Sequence, residues 1–589
     1  REAARFKANV LHLNMGGITA TYPTAVAFHT RSPYLGEGRD FFGDALKEAH
    51  RLGLRVVGRF DFSKTRKDAY DSHPEWFFRK ADGSPVIYNG LYSTCINSAW
   101  YSEHALKILA EALERYPVDG LFFNMFGNQS TDYSGNFVGH CHCGACQRLF
   151  REQYGRALPE KPDEDYRDFM FRSSRRVAAL FGRLIHEKRP QAGYFNYIHE
   201  HTDGIMSESN TAVSRPLPLW PYTSSDNVNR ARNSEPGKMS VNLCMQFVDY
   251  PWRFATVPQG EIRLRLWQNM AHGGALAFAI NGTFAQQDRQ AVEAAREVFE
   301  WAEANQEFLH SQQSAARVIL LARGEFSNYR GLFRFLSEEH IPFAVSTNLN
   351  WIGQRKADLV IAPSAAEPEL EPYLAAGGRA LFVGARPGSP DTKGYVRIRN
   401  KRRFPSLSLV DLLLLNGPFT SSGNDPKADL TLIPPSMFGP PEFIHTDLRE
   451  TEIPALVAGH GGRSLWLPFD LGALYYRLSL PAHAGLLRDL IHELMPSRQL
   501  QTDAHPLVEI SLMRQGGRTL LHLINLSGHS QTGYFSPLRT GPIRISLEGE
   551  FTKIRALRQG KAVLAAPSGG RTSMVLPALE DYELLVLDQ

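Results

Sequence analysis

The stretch 114–150, ERYPVDGLFFNMFGNQSTDYSGNFVGHCHCGACQRLF, does most to constrain what this chain can fold into. An apolar run from Val118 to Phe123 ends at Asn124 and opens into a long polar loop. A buried strand that stops at a polar residue and feeds a long loop is the pattern of the active-site end of a parallel β/α barrel. The loop closes on Cys141-His142-Cys143-Gly144-Ala145-Cys146, and a helical stretch follows. Thiols this close do not pair conveniently with one another, but C-x-C-x-x-C suits three corners of a tetrahedral zinc site. Cys95, on the loop one β/α unit earlier, supplies the fourth. Four thiolates leave no open position for water, so the expected zinc is structural and braces the 125–146 loop.

Residues 1–311 repeat the strand–helix alternation that the central stretch implies. Apolar strands are expected at 8–14, 54–61, 118–123, 193–197, 204–208, 240–245 and 275–281, with helices over 41–52, 103–115 and 165–188. These are seven strands where a (β/α)8 barrel has eight. The eighth either precedes Arg1 or escapes the pattern. Residues 312–500 hold short, wholly apolar runs at 316–321, 342–345, 357–362 and 379–384, the signature of parallel strands covered on both faces. No Gly-x-Gly-x-x-Gly turn follows any of them, so a nucleotide site is not indicated. The stretch 386–450, rich in Pro, Gly and Ser, reads as a long excursion. Over 501–589 the pattern changes to alternating strands between Gly turns, VEISLMR, TLLHLINLS, IRISLEG and YELLVLD, which predicts a small antiparallel β-sandwich.

Length and charge agree with this division. A chain of 589 residues exceeds what one core supports, and three domains are the natural expectation. The formal net charge of +4 is mild, and the one basic run, Arg397 to Arg403, lacks interleaved aromatics. It reads as a solvated loop, or else as a surface for an acidic partner, and no nucleic-acid partner is expected. No apolar stretch reaches about 18 residues, so no membrane span is expected. The first residues are not a signal peptide, which suggests the cytoplasm unless an export signal was removed. Four of the five cysteines fall in the zinc set, and Cys244 is left as a buried core thiol.

The order of barrel, α/β domain and terminal β domain, together with Cys95, Cys141, Cys143 and Cys146, resembles the trimeric β-galactosidases of glycoside hydrolase family 42. Arg151 in the following helix and the segment Glu261 to Gly274 agree with that likeness. The resemblance implies zinc on those four cysteines, an amidotransferase-like second domain and a homotrimer. The catalytic pattern departs from it. Where that family has Asn-Glu-Tyr-Gly, this chain has Asn124-Met125-Phe126-Gly127, and its nucleophile stretch reads Leu243-Cys244-Met245-Gln246-Phe247. Neither a thioether nor a carboxamide supplies an ionisable acid. The chain is more similar to the proteins known as hypothetical glycosyl hydrolase 6, which include α-L-fucosidases of family 151. That likeness rests on Gly16 to Pro23 (GGITATYP), Arg59 to Lys64 (RFDFSK), His73-Pro74-Glu75-Trp76 and the FFN strand end. Fucosidases carry an aspartate nucleophile where this chain has Asn124.

Hydrolysis of a glycosidic bond needs two carboxyl groups, about 5–5.5 Å apart for retention and about 6.5–9.5 Å apart for inversion. Glu208, in Met206-Ser207-Glu208-Ser209-Asn210 at a strand end, is the first candidate and suits the acid/base role; the alternative is a structural loop glutamate. Asp132, on the loop after the FFN strand, and Asp249, ahead of Tyr250-Pro251-Trp252, are candidates for the second, with capping or loop ion pairs as the alternatives. Asp61 beside Arg59 is expected to form an ion pair that shapes a subsite or binds hydroxyls, since a neighbouring guanidinium makes a carboxyl a poor acid. Asn124, Asn281, Trp252 and Arg253 are expected to bind sugar hydroxyls and ring faces. His199 and His201, two apart on an expected strand, find no third ligand and are read as non-metal. The expected activity is removal of terminal sugars from oligosaccharides or glycosides, fucosidase- or galactosidase-like. The competing reading is an inactive carbohydrate-binding relative.

Overall fold

The computed structural model describes residues 1–132, 134–349, 357–437, 439–440, 442–444 and 448–589. The barrel region opens with β1 (Val10–Gly17), α1 (Phe41–Arg51), β2 (Arg55–Asp61), α2 (Ala105–Arg115) and β3 (Gly120–Asn124). It continues with α3 (Gly144–Tyr154), α4 (Glu164–Lys188), β4 (Gly193–Asn196), β5 (Gly204–Ser209) and α5 (Thr223–Ser234), then β6 (Met239–Met245), α6 (Gln259–Ala271), β7 (Ala275–Ala279) and α7 (Gln290–Ala304). The seven strands form one sheet in chain order, β1 to β7, and β1 through β5 pair in parallel. All seven expected strands are present, one short of a closed eight-stranded barrel among the described residues.

Two compact units make up the chain. One comprises Arg1–Ser207 with Lys238–Leu243, the other Glu208–Gly237 with Cys244–Gln589. Their boundaries cut β5 and β6 near their carboxyl ends.

In the first unit the helices start where the sequence supplies caps. Asp40 accepts from Gly43 N at 2.8 Å to open α1, and Asp163 accepts from Tyr166 N at 2.9 Å to open α4. Both helices bury an apolar stripe, Phe42, Leu46 and Ala49 in α1 and Phe169, Val177, Phe181 and Ile185 in α4. Strand β1 carries a bulge between Asn14 and Gly16. Gly17, at φ 104°, has no room for a side chain, because a Cβ there would lie 2.1 Å from the Asp61 carbonyl. That glycine lets the end of β1 close against the end of β2.

In the second unit, strands 343–346, 318–321, 359–362, 380–383 and 464–467 run parallel in that order, with 457–459 antiparallel at the edge. Three of these strands are buried at every residue, as expected of a sheet covered on both faces. The excursion at 386–450 contains a three-stranded antiparallel sheet, 412–418, 391–398 and 430–433. The basic run starts on that sheet, and three of its cations meet carboxylates: Arg397 donates to Glu450, Lys401 meets Asp411, and Arg403 bridges Asp429 and Glu493. From residue 500 on, five strands, joined at one edge by the short strand Gln313–Ser314, form a six-stranded sheet that shares one core with a four-stranded sheet, in which Leu521, Leu523, Leu585 and Leu587 meet Ile543, Ile545, Leu547 and Leu576. All four sandwich strands named from the sequence are there.

Candidate active site

In the first unit the carboxyl ends of β1, β2 and β3 bring polar residues side by side. Register pairs Asn14 with Arg59 and Asp61 with Asn124. Arg59 Nη1 donates to Asn14 Oδ1 at 3.1 Å, and Asn124 Nδ2 donates to Asp61 Oδ2 at 3.2 Å. Tyr197, just past β4, donates to Asn124 Oδ1 at 3.4 Å. Asp61 is buried, and its Oδ1 accepts from Ser63 N at 3.0 Å and Ser63 Oγ at 2.6 Å. Arg59 reaches Asp61 only at 3.9 Å. The expected Arg59–Asp61 pair is therefore looser than the bonds from Ser63 and Asn124, and the guanidinium is aligned by Asn14. Strand β3 ends sharply because Met125 takes a left-handed conformation at φ 48°, costly for an unbranched side chain and tolerated where the surroundings fix it. Three residues that the sequence did not single out belong to this group, namely Asn14, Lys64 and Tyr197. Asn14 and Tyr197 share the strand-end position that marked the others. Lys64 is buried, and burial depresses its pKa against the pull of Asp61 and Asp132.

Asp132 folds into its own turn. Its Oδ1 accepts from Ser134 N at 2.8 Å and Asn136 N at 2.9 Å, and its Oδ2 accepts from Asn136 Nδ2 at 3.0 Å. Those bonds, led by the Asn136 amide, lower its pKa and keep it ionised.

The four cysteines are buried and their sulfurs all lie within 4.8 Å of one another. A tetrahedral zinc with Zn–S bonds of ~2.3 Å sets sulfur–sulfur edges of ~3.8 Å, so the set fits such an ion. Asn97 supports it with N and Nδ2, each 3.4 Å from Cys95 and Cys146 sulfurs respectively, and Asn128 Nδ2 lies 3.5 Å from Cys95. Arg176 in turn orients Asn97 through Oδ1 at 3.0 Å. These donors fit thiolates better than neutral thiols. The sulfurs pack with Phe78, Phe150, Tyr166 and Phe169, so the site is closed by apolar side chains. His140 and His142 lie outside it. His140 pairs with the Pro159 carbonyl at 2.7 Å. The premise for His199 and His201 does not hold: β4 ends at Asn196, and both histidines lie beyond it, His201 at φ 61°.

In the second unit, Glu208 sits near the end of β5. Asn210 Nδ2 donates to its Oε2 at 2.7 Å, and Asn227 Nδ2 holds its backbone carbonyl at 3.1 Å. Asp249 Oδ1 accepts from Tyr250 N at 2.7 Å and Oδ2 from Val213 N at 2.9 Å. One carboxylate thus joins the loop after β6 to the loop after Glu208. Beyond it stand exposed aromatics, Trp252 and Phe254, with the Arg253 guanidinium 4.9 Å from the Phe254 ring centre. At the end of β7, Asn281 N donates to Gln246 Oε1 at 3.4 Å, and Gln286 bridges the Gln246 amide and the Asn281 carbonyl at 2.6 Å each. Gln246 is fully buried, so in place of an ionisable acid this strand end has a structural amide. Cys244 is buried, its pKa pushed up to about 11 by desolvation.

Residues 1–125 match the family described as hypothetical glycosyl hydrolase 6. None of the curated protein sequences matches the chain. Among solved structures, α-L-fucosidase isoenzyme 2 from Paenibacillus thiaminolyticus superposes with a TM-score of 0.80 at 17% identity, over 100% of this chain and 95% of that one. The β-galactosidase of Bacillus circulans gives 0.67 at 13% identity, over 99% and 95%. The β-galactosidase of Rahnella sp. R3 gives 0.66 at 16%, over 99% and 94%. At such identities these likenesses establish the fold.

Proposed function

We propose that this chain, assigned by its first 125 residues to hypothetical glycosyl hydrolase 6, is an exo-acting glycosidase whose acid/base is Glu208. The observation that carries the reading is the setting of Glu208, a strand-end carboxylate oriented by the amide of Asn210. One side-chain amide fixes the direction of the carboxylate at the strand end, and a general acid/base must be held within reach of the group it protonates. Asp249 and Asp132 each accept two main-chain N–H bonds, which hold the two carboxylates in place, and in Asp132 such bonds also favour the charged form. That setting suits the second carboxylate, as nucleophile or as base toward water. Asp249 is attached to the loop that follows Glu208, which favours it over Asp132.

Arg59, Asp61, Asn124, Trp252, Arg253 and Asn281 are the proposed sugar-binding residues. Fixed amides and a held guanidinium recognise hydroxyl groups, and exposed aromatic faces stack on C–H surfaces. The α-L-fucosidase and β-galactosidase folds that the chain shares suggest a terminal fucose- or galactose-type sugar as substrate. A zinc ion on Cys95, Cys141, Cys143 and Cys146 is the structural brace in this reading, and the assembly is a homotrimer.

Hydrolysis of chromogenic α-L-fucoside, β-D-galactoside and α-L-arabinoside by the wild type and by Glu208→Gln, Asp249→Asn and Asp132→Asn tests the assignment. Release of one sugar, with a loss of roughly a hundredfold or more in Glu208→Gln, is the expected result. Undiminished turnover in Glu208→Gln overturns the role given to that residue. The aspartate whose replacement is the more damaging is the second carboxylate.

A further inference from the structure

Helix α6 is buried along most of its length, yet it carries charge inward. Glu261 is fully buried and Arg265 is 7% exposed. An ion pair taken out of water contributes little net stability, and apolar side chains of similar size would serve the core at least as well. What the pair touches gives it another purpose.

Arg265 holds the backbone on the far side of Glu208. Its Nη1 donates to the Ser209 carbonyl at 2.8 Å, and its Nη2 reaches the Asn210 carbonyl at 3.4 Å and Thr211 Oγ1 at 2.9 Å. Glu261 Oε1 bonds Arg265, and it also accepts from Thr211 Oγ1 and Arg215 Nη1, each at 3.1 Å. Ser209 is fixed again by its hydroxyl, 2.8 Å from Ser224 Oγ. The two residues that follow Glu208 are therefore clamped through their carbonyls, and the second of them, Asn210, is the one whose amide meets the Glu208 carboxylate.

We infer that Arg265, locked by Glu261, is a positioning residue that sets the Asn210 amide and thereby the orientation and proton affinity of Glu208. This rests on the acid/base reading of Glu208. Lysine cannot replace the guanidinium, because one ammonium does not span two carbonyls and a hydroxyl in a fixed plane.

The test uses a leaving-group series, the methyl, 4-nitrophenyl and 2,4-dinitrophenyl glycosides of the sugar that the wild type releases. A poor leaving group needs its proton and a good one does not, so a defect in general acid catalysis is largest on the methyl glycoside and shrinks along the series. The variants are Glu208→Gln, Arg265→Lys and Asn210→Ala, the last at an exposed position whose change leaves the core intact. In Arg265→Lys and Asn210→Ala, kcat on the methyl glycoside is expected to fall by roughly tenfold or more, a part of the roughly 10²–10⁴-fold that acid–base catalysis supplies. On the dinitrophenyl glycoside kcat stays near wild type, KM changes little, and the pH limb of the acid shifts.

If Glu208→Gln shows the leaving-group signature while folded Arg265→Lys and Asn210→Ala lose activity equally on all substrates, or lose none, the positioning role is wrong and the acid/base role stands. Asn210→Ala alone decides this if Arg265→Lys does not fold. A Glu208→Gln variant without the signature removes the reading underneath and the inference with it.

Discussion

At the scale of single residues, strand-end position was more legible than the partner each side chain meets. Polar residues at strand ends mark Arg59, Asp61, Asn124 and Glu208 from the sequence alone, since an apolar run that stops at a charge leaves that charge at the rim. Which groups they meet depends on side-chain reach and bulges, which a linear pattern does not carry. Asp61 was read as the mate of its neighbour Arg59, but Ser63 and Asn124 hold it more closely. Removing that carboxylate therefore leaves the Ser63 N–H, the Ser63 hydroxyl and the Asn124 amide short of an acceptor. Asp61→Ala is expected to cost about 1–3 kcal/mol in chemical denaturation, with Arg59→Ala costing clearly less. Equal losses would mean that the ion pair, rather than the hydrogen-bonded cage, fixes Asp61.

At the scale of elements, strand identity was legible because fully apolar runs of this length have one economical use, a parallel strand covered on both faces. The ends of elements were not, as the histidines beyond β4 show. His12, inside β1, lies near the rings of Phe122 and Phe195, and burial lowers its pKa from 6.5 to about 4. Burial does the same to His29, which accepts from Gly17 N at 3.1 Å through Nε2 and must be neutral there. For such groups the unfolded chain binds more protons than the folded one, so stability rises with pH. The full contribution is present above about pH 6.5 and is lost as the pH falls toward about 4. Thermal unfolding followed across that window is expected to show a falling Tm on acidification. A Tm that does not change between pH 6.5 and 4 would mean that these imidazoles are charged in the native state.

At the scale of the whole molecule, the cysteine set was the most legible feature of all, because three thiols in one short motif leave so few alternatives. No sequence pattern foretold the second tier around it, Asn97, Asn128 and Arg176, which come from three separate segments. Purified protein is expected to contain one zinc per chain, and Cys95→Ser or Cys146→Ser to lose it, together with cooperative melting of the first unit. A full zinc complement in both variants would remove the metal from those sulfurs. The site also has a meaning for the unfolded chain. An ion shared by Cys95 and Cys146 closes a ring of polymer 51 residues around, with α2 and β3 threaded inside it. By the loop-closure relation used for covalent cross-links, such a ring removes ~4 kcal/mol of denatured-state freedom. Part of the stability of the segment that carries the FFN strand end would then come from the disorder denied to the chain before it folds.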